Sequence, residues 1–452
     1  MAVTRGSLVV VGGGIVGLAT ARRYLEVRGG SEVTVIDKEP RVAAHQTGHS
    51  SGVVHAGIYY APGSLKATLC RRGGTLLRDF CMDHGIAYDA CGKVVVARSA
   101  KEVPALRELE RRARQNGVPG LRYLEAAALA ELEPHVAGVG ALHSPETAIV
   151  DYVQVADALA RDVEDRGGRV LLATEVTGFV AEPGGWSVGP GGGPGGGPGG
   201  GPVGGPVGGL GGNMVGTSSG SAVGGGGGRL ALRGVKVLTT AGELMAERAV
   251  VCAGLQSDRV ARLAGDGPDP AIVPFRGEYH RLRADRAGLV RGLVYPVPDP
   301  RYPFLGIHFT RRVGGGVDVG PNAVLALGRE SYRRTAVGRR DLVELLAWPG
   351  TWKMALHNVR AGARELATSL SKQAFLAVAR SYVPELRSRD LVPAPAGIRA
   401  QAVGADGALV DDFVIHHLGA VLAVRNAPSP AATSSLAIAE HVVTRLLDVA
   451  VA

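Results

Sequence analysis

Residues 45–60, "HQTGHSSGVVHAGIYY", gather His45, His49 and His55, the adjacent Ser50 and Ser51, and a closing pair of tyrosines. A metal site, a nucleophile or a cofactor wall could each use such a segment. A zinc site needs further ligands at fixed spacing, which these three histidines supply poorly. Cys70, Cys81, Cys91 and Cys252 are scattered, without a CxxC pair, so no metal is expected and reduced thiols are the simple reading. A nucleophilic serine needs a GxSxG elbow, and "GHSSG" lacks that spacing. His45 sits among polar loop residues and reads as solvated. His55 precedes Ala and Gly, and an imidazole titrates near working pH, so it is a candidate base, with a structural histidine as the plain alternative. Farther along, "PFRGEYHRL" offers Arg276 with Glu278 and Tyr279, "FLGIHFTRR" sets His308 between apolar neighbours, "GVDVGPNAVLA" puts Asn322 in a turn, and "PAPAGIRAQAVG" sets Arg399 in apolar company. For His308 the competing reading is a buried histidine satisfied by one hydrogen bond.

These side chains need elements to hold them, and the N-terminal segment supplies the first. "SLVVVGGGIVGLATA" places Gly12, Gly14 and Gly17 in GxGxxG register between a buried-strand pattern and a helix. The first glycine permits the tight turn, the second lets a pyrophosphate approach the backbone, and the third lets helix and strand pack closely. Asp37 ends the next strand, "EVTVID", at the spacing of a ribose-binding carboxylate. A glycine turn serving packing alone is the weaker reading, and FAD and NAD share this loop.

The chain has 452 residues, enough for a cofactor domain and a substrate domain. Hydrophobic residues are 46% and charged residues 20%, and no apolar run approaches the roughly 20 residues of a spanning helix. "MAVTRGSLVVVGGG" leaves no room for a leader, so a cytoplasmic location is expected, with peripheral attachment to the inner face of the membrane as its variant. The net charge of +9 suits a nucleic acid, an anionic surface or an acidic substrate, but dispersed arginines and 5% aromatics give no nucleic-acid signature. Asp151 is placed to cap a helix through "DYVQVADALARDVEDRGG", and residues 100–135 read as helical. Residues 189–228 are almost wholly Gly, Pro, Val and Ser and are expected to be a disordered loop inserted between strands of one small sheet.

Taken together, "VVGGGIVGLATA", "HQTGHSSGVVHAGIYY", "VVVCAGLQSDRVA", "PFRGEY", "GIRAQAVG" and "VRNAPSPAATSSLAIAE" resemble the FAD-dependent D-amino-acid-oxidase-like superfamily, and within it the L-2-hydroxyglutarate dehydrogenase or oxidase family. The resemblance spans nearly the whole chain in order, the glycine-rich tract excepted. It implies an α/β fold: an FAD-binding Rossmann-like domain (1–88, 145–262 and 392–452) with an inserted mixed-sheet α+β substrate domain (89–144 and 263–391). It implies FAD held by Gly12, Gly14, Gly17, Asp37, Ser50, Ser51, Gly52, Val176, Ala253, Gly254 and Thr433, with Thr433 or Ser434 as cap of the C-terminal helix. His49 lies where some relatives tether the flavin.

The implied reaction is oxidation of (S)-2-hydroxyglutarate to 2-oxoglutarate, with hydride passing from C2 to flavin N5 and electrons then to a quinone or oxygen. Two cations should grip the dicarboxylate, Arg399 and Arg276, with Lys66 a weaker candidate, while His55 or His308 takes the hydroxyl proton. Residues 345–383 mix tryptophan, apolar and cationic residues, as a membrane surface holding a quinone acceptor would require, or as a helical segment packed on the core. The alternatives are oxidation of an amino acid, glycine or glycerol 3-phosphate, or a non-catalytic flavoprotein docking on membrane or RNA.

Overall fold

The computed structural model describes residues 4–181, 234–299 and 305–448. Its first apolar run forms the strand Leu8–Val11, which pairs in parallel with Val33–Ile36 on one side and Arg248–Val251 on the other. Arg169–Leu171 and Val421–Asn426 extend that sheet in parallel, and Val414–Leu418 closes one edge antiparallel, giving six strands. Both faces are covered, which is why the strand sequences are apolar without alternation. Leu8, Val10, Val33, Val35, Val250 and Leu422 pack under the helices Ile15–Val27, Tyr152–Asp165 and Ala431–Asp448. Val9, Val11, Ile36, Val251 and Ala423 face a three-stranded sheet on the other side. Each large apolar side chain fully buried here stabilises by roughly 1.5–3 kcal/mol.

In that small sheet Val176–Ala181 pairs antiparallel with Val235–Thr239, Ala181 lying opposite Val235, and Gly242–Ala246 completes it. The tract 189–228 lies outside the described residues; the strands flanking it are direct neighbours.

The second large sheet has nine strands. Its longest members, Ala271–Leu282 and Leu391–Val403, form an antiparallel ribbon in which Phe275 lies opposite Arg399. The expected boundary at 392 is therefore corrected. Pairing along Ala271–Leu282 keeps the chain in the larger sheet to Val403, and only after it does the chain return to the smaller one. Residues 100–135 form the helices Val103–Gln115 and Ala126–Leu132, but with a strand, Arg122–Glu125, between them. This edge strand has exposed Arg122 and Glu125 and is held by pairing with Gly140–Ser144, which no local pattern announces.

Asp151 caps Tyr152–Asp165 by accepting from the Val153 N–H. Residues 339–380 form four helices; Lys372–Arg380 sends Phe375, Leu376 and Ala379 into the core, whereas the three before it leave many apolar residues exposed. Among the described residues no helix is long and apolar enough to cross a membrane.

Candidate active site

A cavity of about 1140 Å³ runs between the two large sheets. One end is the glycine loop. Gly12 has φ +119, and an added Cβ would run into the Cys252 carbonyl oxygen. Gly17 does not line the cavity; a Cβ there would strike the Gly12 carbonyl oxygen, so its absence lets the helix Ile15–Val27 close on the turn. Gly14 does line it, with nothing nearer to an added Cβ than Thr47 Oγ1 at 3.5 Å. Asp37 reaches the wall from its strand end, Oδ2 accepting the Gly13 N–H at 2.6 Å and Oδ1 the Glu39 N–H at 2.9 Å. Val176, Ala253 and Gly254 line the same end.

The segment 45–60 forms the long wall. Val53–Val54 is a short strand whose two side chains enter different cores. Val54 joins the helix-covered core and Val53 the core beneath the nine-stranded sheet, where Ala56 and Ile58 follow it. This straddling fixes the backbone between, and Ser50, Ser51, His55, Tyr59 and Tyr60 line the cavity. Gly52 does not: at φ +79 it turns the chain, and a Cβ would lie 2.8 Å from the Val150 carbonyl oxygen. Thr433 lines the far end, but as the third residue of the helix Ala431–Asp448 and not as its cap. Its hydroxyl accepts the His55 N–H at 3.1 Å and lies 3.2 Å from the Tyr152 hydroxyl and 3.3 Å from the Val53 carbonyl, so it ties the last helix to the histidine segment. The cap reading fails because the helix begins two residues earlier, directly after Pro430.

His55 and His308 sit together at the inner end. Burial, then the nearby Lys93, His308 and Lys66, holds His55 well below its ordinary pKa, and its Nδ1 is buried with no hydrogen-bond partner among the described residues. His308 is pushed down to about 4 by burial, although its Nδ1 contacts the Gly306 carbonyl at 2.8 Å, and its ring packs 4.0 Å from that of Tyr295. Both are therefore neutral at pH 7. Arg399, in the middle of its strand, lines the cavity with Phe275, Gly277 and Tyr279. Burial lowers its pKa, countered by Asp411 and Tyr60.

Arg276 does not line this cavity. Strand alternation turns it away from the face of Phe275 and Gly277, and the residue, 5% exposed, bonds Glu278 Oε1 through its guanidinium at 3.0 Å. The expected second clamp is thus corrected. Asn322 lines the cavity and is held by Glu278, whose N–H donates to its Oδ1 at 2.9 Å. His45 is not free in solvent but partly buried and paired on both ring nitrogens. Its Nε2 lies 2.9 Å from Glu39 Oε1 and its Nδ1 3.1 Å from the Tyr332 hydroxyl. Glu39, His45 and Glu330 have ligand atoms close enough for a cation, but Lys38 Nζ already bonds both carboxylates. His49 contacts the Ala396 carbonyl through Nδ1 at 3.0 Å and stacks on Tyr332 at 3.9 Å.

Sequence reasoning passes over several wall residues. Tyr59 and Tyr60 are visible in "GIYY" but carry no pattern. Lys93 does not line the cavity but lies behind two rings that do: it opens the strand "KVVVA" as an unremarkable charge, yet it is 1% exposed, 5.4 Å from the Tyr59 ring and 4.0 Å from the Tyr295 ring, and pushed down to about 7 by burial. Thr47, whose Oγ1 accepts the Ile15 N–H at 3.2 Å, is found only by tertiary contact.

The geometry fits a dinucleotide. Bare backbone at Gly12 and Gly14, a helix start with no side-chain cap at Gly14, and a carboxylate at Asp37 meet at one end of an elongated cavity. The family model for "FAD dependent oxidoreductase" matches residues 7–197 and 225–445. Mitochondrial L-2-hydroxyglutarate dehydrogenase of Homo sapiens is 41% identical over 95% of this chain and 86% of its own length. L-2-hydroxyglutarate dehydrogenase of Escherichia coli (strain K12) is 38% identical over 97% and 92%. The structure of L-alpha-glycerophosphate oxidase from Mycoplasma pneumoniae with FAD bound superposes with a TM-score of 0.71 at 19% identity, covering 98% of this chain and 94% of that one, a likeness of fold.

Proposed function

Because the chain belongs to the FAD-dependent oxidoreductase family, and within it to the L-2-hydroxyglutarate dehydrogenases, we propose that it oxidises the C2 hydroxyl of (S)-2-hydroxyglutarate to 2-oxoglutarate. The near-full-length identity to those enzymes carries the proposal, and the site chemistry supports it. Gly12, Gly14, Asp37, Ser50, Ser51, Val176, Ala253, Gly254 and the start of the Ala431–Asp448 helix would hold the FAD. FAD supplies the acceptor for the hydride that leaves C2.

The chain's own part is orientation and proton transfer. Arg399 offers two parallel N–H donors to the carboxylate beside C2, fixing which face of the carbon is presented. Arg276 is committed to Glu278 and takes no part. The hydroxyl proton goes to the His55–His308 pair. With Nδ1 of His308 donating to the Gly306 carbonyl, Nε2 keeps a lone pair to accept it, and burial keeps that base neutral. The rings of Tyr59, Tyr60, Tyr279 and Tyr295 wall out water.

For the electron acceptor we favour a quinone reached from the membrane surface. Val343, Leu346, Trp352, Leu356, Val359 and Leu370 are 48–74% exposed on successive helices beside Arg360 and Arg364, a composition suited to an anionic interface. Anaerobic mixing with (S)-2-hydroxyglutarate should bleach the flavin and release 2-oxoglutarate. A flavin that stays oxidised with this acid but bleaches with an amino acid or glycerol 3-phosphate would overturn the substrate.

A further inference from the structure

With Arg276 withdrawn, a dicarboxylate lacks its second cation, and the cavity wall offers few replacements. Lys38 is spent on Glu39 and Glu330, Arg259 on Asp341 and Glu344, Arg340 on Glu344, and Arg425 on Asp266. Lys66 is different. It lies in the first turn of the helix Leu65–Asp83, just after the Ser64 cap, where the helix dipole opposes a cation, and it is only 8% exposed, where desolvation opposes one too. Two unfavourable terms at one residue call for an anion.

The anion present is Asp411. Lys66 Nζ donates to Asp411 Oδ1 at 2.7 Å and to its carbonyl at 3.2 Å, and lies 5.3 Å from the centre of the Tyr60 ring. The backbone there is held firmly, because the Asn426 side-chain amide donates to the carbonyls of Val410 and Asp412 at 3.1 and 2.8 Å. The Asp411 side chain is nevertheless 76% exposed at the cavity mouth, while Lys66 is buried. An exposed carboxylate loses little by returning to water, so another carboxylate can take its place at small cost.

We propose that Lys66 is the seat for the substrate's distal carboxylate, that Asp411 occupies that seat in the resting enzyme, and that exchange of the two makes the enzyme select dicarboxylic 2-hydroxy acids. Arg399 then serves the carboxylate beside C2. The proposal rests on the oxidation of 2-hydroxyglutarate proposed above. It adds a specificity-determining lysine and an internal competitor.

The test compares (S)-2-hydroxyglutarate with (S)-2-hydroxypentanoate, the five-carbon acid lacking the distal carboxylate, in the wild type, Lys66→Met and Asp411→Asn. Lys66→Met should lower kcat/KM for the dicarboxylate by about 30-fold or more and leave that for the monocarboxylate within about threefold, collapsing the preference. Asp411→Asn, a change on an exposed loop, should tighten competitive inhibition by glutarate by about threefold or more. Unchanged preference in Lys66→Met, or weaker glutarate binding in Asp411→Asn, overturns the proposal. If the wild type oxidises neither acid, the substrate reading falls by itself. Calorimetric titration of glutarate into the wild type and Lys66→Met then still decides the seat: equal affinity refutes it, and a 30-fold loss upholds it.

Discussion

Replacing Gly14 by alanine separates what the protein needs at the turn from what the cofactor needs. Gly14 has φ −81 and ψ 172, a conformation any residue adopts, and the nearest protein atom to an added Cβ is Thr47 Oγ1 at 3.5 Å, an ordinary contact. Folding of the apoprotein should therefore change by less than about 0.5 kcal/mol. The Cβ would, however, project at the wall where a diphosphate must approach the backbone. Losing one charge-assisted hydrogen bond there costs about 1.5–3 kcal/mol, which is roughly a 10- to 150-fold rise in Kd for FAD. Gly17→Ala is the contrasting variant. Its Cβ would strike the Gly12 carbonyl oxygen, so overpacking of about 1–3 kcal/mol should appear in the apoprotein itself. The assay is thermal unfolding of apoprotein together with FAD titration by fluorescence quenching. Gly14→Ala binding FAD as the wild type does, or melting as early as Gly17→Ala without cofactor, would refute this division of labour.

The two strand arginines should separate as sharply. Arg399→Met should lower kcat/KM by about 30-fold or more while retaining FAD, whereas Arg276→Met should leave KM within about threefold and lower the melting temperature, since it strips Glu278 of a buried partner. Stability should fall in acid through His308. Its folded pKa of about 4 lies below the ordinary 6.5, so the unfolded chain binds the extra proton between those values. Stability should drop by on the order of 3 kcal/mol as pH falls from 6.5 to 4 and level off below, and His308→Asn should flatten that window in chemical denaturation. The ion pair of buried Arg329 with Asp258 anchors the loop after residue 328 to the helix Ser257–Leu263, and Arg329→Met should cost about 3–5 kcal/mol by the same measurement; a loss below 1 kcal/mol would show the pair to be dispensable.

What the sequence makes legible is what short-range geometry determines. The glycine turn, the helix after it and Asp37 lie within one strand–helix–strand unit, and spacing alone ranks them. Arg276 and Arg399 look alike as sequence, each in a largely apolar strand with a glycine one or two residues away. Which one meets the cavity depends on the register that sets Phe275 opposite Arg399, a pairing of residues more than a hundred positions apart. His45 was unreadable for a similar reason, since Tyr332 and Glu330 come to it from another sheet's loops. Asp411 and Lys93 carry no pattern at all, because a loop carboxylate and a strand-initial lysine are commonplace until tertiary packing buries one partner.

The Thr433 bridge between the last helix and the histidine segment also bears on the order of assembly. Residues 428–433 complete the cavity wall, and the helix they begin fills the core against the first helix. During synthesis the glycine turn emerges well before the segment 428–448, so the cavity it shares with that segment stays open on one side until the segment docks. A complete cavity for FAD therefore requires the helix Ala431–Asp448 to be in place, because residues 428–433 supply part of its wall.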